Sequence, residues 1–182
     1  MPVETPRFLL RFPRLSDLPA LVPLVSDRRV AHPTMIPHPY PKNGGVKYTR
    51  DVQRNYRTGK GLGLLIFDKS DGRLVGGIGF HAIDWANRQS EVGYWVAPLD
   101  WGRGVAPEAA YAVCRAGFRT LRMHRISAGA FAFNARSARV LRKIGFRLEG
   151  RFREARRDGR KWVDVLRFGL LAEELRAPRK RP

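Results

Sequence analysis

The sequence predicts an α+β domain whose mixed, mostly antiparallel central sheet is flanked by helices. Segments with strand-like alternation and segments with helical spacing follow one another in the order β-α-α-β-β-β-α-β-α-β-β. Short turns join the middle strands, which favours hairpins, whereas a helix separates two later strands and permits a crossover. The chain has 182 residues and no linker long enough to divide it, so we predict a single domain over residues 1–175.

The strands are indicated by apolar runs or by alternation, bounded by turn residues. From Phe146 to Phe152, for example, apolar residues and glycine alternate with charged residues, which is the period of a half-buried strand. Gly76 and Gly77 indicate a bulge or a close backbone approach. Strands are predicted at Phe8–Phe12, Leu62–Asp68, Arg73–Ile83, Ser90–Ala97, Arg125–Ala130, Phe146–Phe152 and Lys161–Leu171.

The helices are indicated by capping residues and by apolar residues at helical spacing. Ser16 and Asp17 are suitable caps for the first helix, and Gly145 is a suitable stop for the last. Four prolines and two glycines within residues 31–45 predict an irregular loop, and the basic tail 176–182 is predicted to be disordered. Helices are predicted from Ser16 or Asp17 to Val25, from about Val46 to Thr58, from Val105 to Leu121 and from Asn134 to Ile144.

The composition excludes several classes of protein. Hydrophobic residues make up 43% of the chain, which is typical of a globular domain. No apolar run approaches the roughly 20 residues that cross a bilayer, so no membrane partner is expected. Cys114 is the single cysteine, which excludes an internal disulfide and favours a reducing, cytoplasmic setting. The four histidines show no metal-ligand spacing, so no metal is expected.

The net charge is unusually high. Thirty-five lysines and arginines against 16 acids leave +19, a surface that attracts anions over about 8 Å at physiological salt. Nucleic acid, acidic proteins and polyphosphate cofactors are all compatible with this charge. A compositional preference for arginine without any partner is equally compatible, so charge alone names no ligand.

The most specific signal is a glycine-bearing turn, Trp101–Ala106, between an apolar strand and a helix of small apolar residues. Gly102 and Gly104 have no Cβ, so a ligand can approach the main chain closely. The helix that begins after them directs unpaired N–H groups and its positive dipole end into the same space. The turn therefore predicts a site for a phosphate or pyrophosphate.

Four segments carry a family resemblance. They are Ser90–Val96, Trp101–Ala106 followed by Glu108 and Ala109, Asn134–Ser137 with Lys143–Phe146, and a closing hairpin at Arg157–Gly159. Each is weak alone, but in this order the chain resembles the GNAT superfamily of N-acetyltransferases from Phe8 to about Leu171. The resemblance is strongest to the ribosomal-protein N-terminal (Rim-type) acetyltransferase branch.

The resemblance implies a GNAT-type sheet whose fourth and fifth strands, here 90–97 and 125–130, are splayed. It also implies acetyl-CoA as co-substrate, with the pantetheine arm in the gap beside the main chain of Trp95 and Val96. Trp101 replaces the usual Gln or Arg, and we expect binding to survive with the indole against the cofactor, because main-chain N–H groups do most of the work. The implied pyrophosphate ligands are Trp101, Gly102, Arg103, Gly104, Val105 and Ala106.

The implied reaction is direct attack of a primary amine on the thioester. It needs a general base, because the amine is protonated at neutral pH. Glu91 matches a glutamate that many GNAT members use as the base, and strand alternation places it on the same face as Gly93 and Trp95. The alternative is a surface glutamate paired with an arginine, and both interpretations remain open.

Asn134 and Ser137 open the helix after the splayed strands. By residue type, Asn134 is an N-cap with Ser137 at the third helical position. The resemblance implies that Asn134 also contacts the CoA arm and that Ser137 lies near its sulfur, as an acid or hydrogen-bond donor for the departing thiolate. Family members often have a tyrosine in that role, but no tyrosine follows Tyr111.

We therefore predict a cytoplasmic acetyl-CoA-dependent N-acetyltransferase whose acceptor is a protein α-amine, such as a ribosomal-protein N-terminus. A protein of charge +19 repels polycations unless its pocket is locally acidic, which argues against aminoglycosides and polyamines. A small-molecule amine acceptor, or a non-catalytic GNAT-fold module that binds RNA or protein, remains an alternative. Association with the ribosome or RNA through the basic surface and a homodimer also remain open.

Overall fold

The computed structural model describes residues 2–178, and its strands form one eight-stranded sheet. The strands are β1 Val3–Glu4, β2 Phe8–Arg11, β3 Leu62–Asp68, β4 Leu74–Asp84, β5 Gln89–Val96, β6 Arg125–Phe131, β7 Arg147–Asp158 and β8 Lys161–Leu171. They stand in the order β1-β2-β3-β4-β5-β6-β8-β7, and every neighbouring pair is antiparallel except β5 and β6. The predicted fold class is confirmed.

Helices cover both faces of the sheet. They are α1 Leu18–Ser26, α2 Arg28–Ala31, α3 Gly44–Arg57, α4 Val105–Arg119 and α5 Ala135–Lys143. The four predicted helices are found close to their expected bounds, whereas the sequence pattern does not predict α2 or β1. None of the described helices is both long and apolar enough to cross a membrane.

Two elements differ from the sequence expectation for a physical reason. α3 begins at Gly44 rather than at Val46. Glycine has a low helix propensity, so the sequence pattern does not predict a start at Gly44, but close packing requires glycine at both positions. A Cβ at Gly44 would stand 2.8 Å from the Tyr40 ring, and one at Gly45 would stand 2.7 Å from Leu18. β7 continues to Asp158 rather than ending at Phe152, because two register shifts keep it paired with β8.

The main core lies between the sheet and α4. Ala109, Ala110 and Gly117 of α4 leave little side-chain volume, so the helix sits close to the strands. A Cβ at Gly117 would stand 2.8 Å from the Phe80 ring. A second, smaller core lies on the opposite face, where Leu65 packs under α1.

The predicted splay of β5 and β6 is confirmed. The two strands are paired only at Gln89–Arg125, Ser90–Ile126 and Glu91–Ser127. Beyond Glu91 they separate, so residues 92–96 of β5 face no partner on β6. The tail 176–182 is predicted to be disordered. At its start, the Arg176 N–H donates to the Ile144 carbonyl at 3.0 Å, and residues 179–182 lie outside the described part of the chain.

Candidate active site

The turn before α4 lines the cavity and carries N–H groups without a protein acceptor. Gly102 and Gly104 have φ of +79° and +80°, which L side chains rarely adopt, so glycine is required in both places. Within residues 2–178, the N–H groups of Gly102, Gly104, Val105 and Ala106 donate to no protein acceptor. They stand at the positive end of a 15-residue helix, an arrangement that binds phosphate.

Ion pairs hold this turn in place. Asp100 is 1% exposed and contacts the guanidinium of Arg73 at 3.2 Å and that of Arg103 at 2.5 Å. Arg7 donates to the Arg103 carbonyl at 2.8 Å and pairs with Glu108 of α4. The Arg103 guanidinium is therefore engaged by Asp100, and its main-chain N–H donates to the Asp100 carbonyl at 3.4 Å, so Arg103 serves mainly to hold the turn.

The main chain of β5 is directed into the gap at alternate residues. The Ala97 N–H donates to the Val75 carbonyl at 2.8 Å, which makes these two residues a hydrogen-bonded pair across β4 and β5. Because such pairs alternate in an antiparallel ladder, the N–H and C=O groups of Tyr94 and Val96 point away from β4 and toward the gap. The main chain of Trp95 points toward β4, and Trp95 lines the cavity.

The side chain of Trp101 lies across the end of this gap. Its indole N–H donates to the Val96 carbonyl at 2.9 Å, and the Arg136 guanidinium of α5 lies 4.6 Å from its ring centroid. The ring thus contacts elements on both sides of the separation between β5 and β6. The contact of the indole with a cofactor bound at the turn stays a prediction.

Ser137 has a tyrosine partner that the sequence pattern does not predict. Asn134 caps α5, since its Oδ1 accepts from the Ser137 N–H at 3.1 Å, and its Nδ2 donates to the Pro33 carbonyl at 3.2 Å. The Tyr94 hydroxyl lies 3.0 Å from Ser137 Oγ. Burial raises the pKa of the Tyr94 phenol, which the Ser137 hydrogen bond lowers only in part, so both groups carry a proton at neutral pH.

Glu91 stands at the point where β5 and β6 separate. Its Oε2 accepts from Arg167 Nη2 at 3.0 Å, and both side chains are 31% exposed. The arginine pair that we considered as an alternative is therefore present, and the carboxylate is also accessible from the cavity. Tyr94 and Ser137 lie on the opposite face of β5, so a group in the gap has a carboxylate on one side and two hydroxyls on the other.

All of the sequence-predicted site residues line one cavity of about 2370 Å³. It extends from the α4 turn through the gap to the loop between α2 and α3. Cys114 lies outside it, is fully buried, and has a thiol whose pKa is raised by that burial, so no accessible thiolate stands near the gap. Within residues 2–178, no three His, Cys, Asp or Glu side chains are grouped to hold a metal ion.

Three features together are typical of a CoA-dependent acyltransferase. They are free N–H groups for a pyrophosphate, a gap between strands with main-chain partners for an extended arm, and a carboxylate at the far end of that gap. The chain belongs to the GNAT acetyltransferase family, since residues 7–147 match the acetyltransferase (GNAT) domain. The uncharacterized N-acetyltransferase YoaA of Bacillus subtilis (strain 168) is 30% identical over 152 residues, which cover 84% of this chain and 86% of that protein.

Solved structures agree with this assignment. Mycobacterium smegmatis RimJ in complex with CoA-disulfide aligns with a TM-score of 0.83 and 26% identity, covering 96% of this chain and 88% of that chain. Two structures below 25% identity share the fold. RimL, a ribosomal L7/L12 alpha-N-protein acetyltransferase in complex with coenzyme A, has a TM-score of 0.84 at 21% identity, covering 94% of this chain and 98% of that chain. The spermidine N-acetyltransferase from Vibrio cholerae in complex with CoA and spermine has a TM-score of 0.82 at 19% identity, covering 93% of this chain and 98% of that chain. The protein is an acyltransferase with acetyl-CoA as its co-substrate.

Proposed function

We propose that the acceptor is the α-amine of a protein N-terminus, of the ribosomal-protein type. The observation that carries this proposal is the charge of the cavity wall. Four acids line the described cavity against eleven lysines and arginines. Each of the four is ion-paired: Asp51 with Lys47, Glu91 with Arg167, Asp100 with Arg103, and Glu108 with Arg7. A polyamine or aminoglycoside would find no free carboxylate among them, so the wall disfavours polycations.

The outer wall combines aromatic and basic side chains, which favours an uncharged first residue followed by acidic ones. Phe131 and Phe133 are stacked with centroids 5.3 Å apart, and His32 lies 4.9 Å from Phe133. Arg156 and Arg167 line the same cavity from the β7–β8 hairpin. The name of RimL supports a protein N-terminus, whereas the spermidine enzyme has the same fold and another acceptor, so the fold does not decide the acceptor.

In the proposed reaction, different residues bind the cofactor, remove the proton and assist the leaving group. The amides of Gly102, Gly104, Val105 and Ala106 hold the pyrophosphate, and the N–H of Val96 polarises the thioester carbonyl. Glu91 draws the proton from the acceptor ammonium, directly or through a bridging group, so that the free amine attacks. Ser137, supported by Tyr94, donates a hydrogen bond to the departing thiolate.

The cytoplasmic location and an association with the ribosome or RNA belong to the same proposal. They are supported by the net charge of +19 and by the single, buried Cys114. A homodimer remains a prediction from the sequence.

An acceptor panel tests the proposal. We expect peptides with a small uncharged first residue and acidic residues after it to be acetylated faster than spermidine or an aminoglycoside. The apparent KM of these acidic peptides is expected to rise when salt is raised from about 50 to about 300 mM, because screening removes the long-range attraction between the peptides and the basic protein. Acetyl transfer is measured by release of free CoA thiol and by mass spectrometry of the peptide.

A pair of arginine variants provides the control. Arg156→Gln, inside the cavity, is expected to raise KM for acidic peptides, whereas Arg153→Gln, on the same strand but outside the cavity, is expected to leave it unchanged. Faster acetylation of a polycation than of every peptide would overturn the acceptor assignment and leave the transferase assignment standing.

A further inference from the structure

His81 faces Glu91 across two neighbouring strands. The two residues are direct partners in the antiparallel register of β4 and β5, so their side chains leave the same face of the sheet. The register breaks immediately after His81, and Ala82 has φ of +50°, a left-handed conformation that is strained for any residue except glycine. Bulges of this kind redirect side chains beside active sites.

The imidazole of His81 lies across Gly93. Its Cε1 and Nε2 are each 2.8 Å from the point that a Cβ at residue 93 would occupy, so only glycine leaves room for the ring in this position. Pairing of β5 with β6 ends at Glu91, so Gly93 already lies where the strands have separated. The ring therefore borders the gap, and His81 lines the cavity.

Glu91 is fixed from its other side. Arg167 of β8 donates to Oε2, and a Cβ at Gly129 of β6 would stand 3.3 Å from Oε1. This carboxylate is restrained by its ion pair with Arg167. It can orient a neighbouring imidazole and stabilise the imidazolium that forms when the ring takes up a proton.

We propose that His81 is the group that takes the proton from the acceptor amine, and that Glu91 is its positioning carboxylate. The inference rests on the proposed function and names the group through which Glu91 acts. The imidazole takes one proton from the ammonium. The amine nitrogen then bonds to the acetyl carbon, and the carbon–sulfur bond breaks with its electron pair on sulfur. The nitrogen releases its second proton as the amide forms, the thiolate takes up one proton, and His81 returns the other to solvent.

The charges around His81 suit this role. Glu91 faces it from β5, Arg167 of β8 stands behind Glu91, and Lys60, which precedes β3, lines the same cavity. Partial burial lowers the pKa of His81 below its usual value, and Glu91 raises it in part. The imidazole is therefore neutral at pH 7, which is the form that can accept a proton.

The test is the pH dependence of kcat for the wild type, His81→Gln and Glu91→Gln. In the wild type kcat is expected to fall as pH drops through the imidazole pKa, because the base becomes protonated. His81→Gln is expected to lose this acidic limb and about 10²–10⁴-fold of kcat, with CoA affinity retained. Glu91→Gln is expected to keep the limb but move it to lower pH, since removing the carboxylate removes the interaction that raises the pKa.

Two further variants separate the role from a structural one. Gly93→Ala keeps both titrating residues but displaces the His81 ring, so kcat is expected to fall by about 10²-fold without a change in CoA affinity. His124→Gln, exposed and outside the cavity, is expected to match the wild type. A His81→Gln enzyme that keeps its acidic limb, or a Glu91→Gln enzyme that loses it, would overturn the inference. Failure of the wild type to acetylate any amine would overturn the proposed function itself.

Discussion

Gly104→Val is expected to abolish measurable CoA binding. Gly104 has φ of +80° and precedes the first residue of α4, and a β-branched residue is strongly disfavoured in that conformation. Its Cβ would also stand 3.2 Å from Arg7 Nη2, so the Arg7 side chain, which donates to the Arg103 carbonyl of the turn, must move slightly. Each charge-assisted hydrogen bond that is lost costs about 1.5–3 kcal/mol. Losing the bonds from Gly104 and Val105 together therefore weakens binding by more than about 10²-fold, which titration calorimetry measures.

Gly72→Val is the matched control. Gly72 has φ of +72°, no atom within 4 Å of its Cβ position, and a place outside the cavity in the β3–β4 turn. It carries a similar backbone penalty, so the two variants are expected to lose similar stability while CoA affinity changes only in Gly104→Val. A folded Gly104→Val protein with wild-type CoA affinity would show that the pyrophosphate does not bind at this turn.

Glu91→Gln is expected to lower kcat on the order of 10²–10⁴-fold while CoA affinity stays unchanged. Glutamine has nearly the same shape and can still accept from Arg167, but it can neither take up a proton nor stabilise a neighbouring cation. The CoA ligands proposed at the α4 turn lie at the other end of the cavity and are untouched. Steady-state kinetics with an N-terminal peptide, beside calorimetry with CoA, separates the two effects.

Glu149→Gln supplies the control for a lost ion pair. Glu149 on β7 pairs with Arg125 at 2.8 Å and does not line the cavity, so this variant removes a comparable pair away from the site. Its turnover is expected to match the wild type. If Glu91→Gln also retained near-normal turnover, the Glu91–Arg167 pair would be a surface ion pair without a role in proton transfer.

The sequence predicts those parts of the fold that depend on local patterns. Alternation places most strands, caps place the helices, and the Trp101–Ala106 turn is recognisable because only glycine tolerates its backbone. It does not predict β1, which is too short to show a period, or the start of α3, where glycine serves close packing against Tyr40 and Leu18. Both depend on contacts between segments distant in sequence.

The same limit applies to the candidate active site. Glu91 and Ser137 are predicted because the resemblance names their positions, whereas the pairing of Glu91 with Arg167 and of Ser137 with Tyr94 joins residues far apart in sequence. The juxtaposition of His81 and Glu91 depends on the exact register of β4 and β5. A sequence that places a hairpin between these strands without fixing its register cannot pair individual side chains.

Direct transfer from thioester to amine is tested most directly by following an isotopically labelled acetyl group. The protein is incubated with labelled acetyl-CoA in the presence and absence of an acidic N-terminal peptide, and the intact masses of protein and peptide are measured. Because Cys114 is fully buried and the cavity offers Glu91 and His81 beside the gap, the label is expected on the peptide amine only, with one CoA released per acetyl transferred. Label that accumulates on the protein without the peptide and then passes to the peptide, or release of CoA with no labelled amine, would contradict direct transfer.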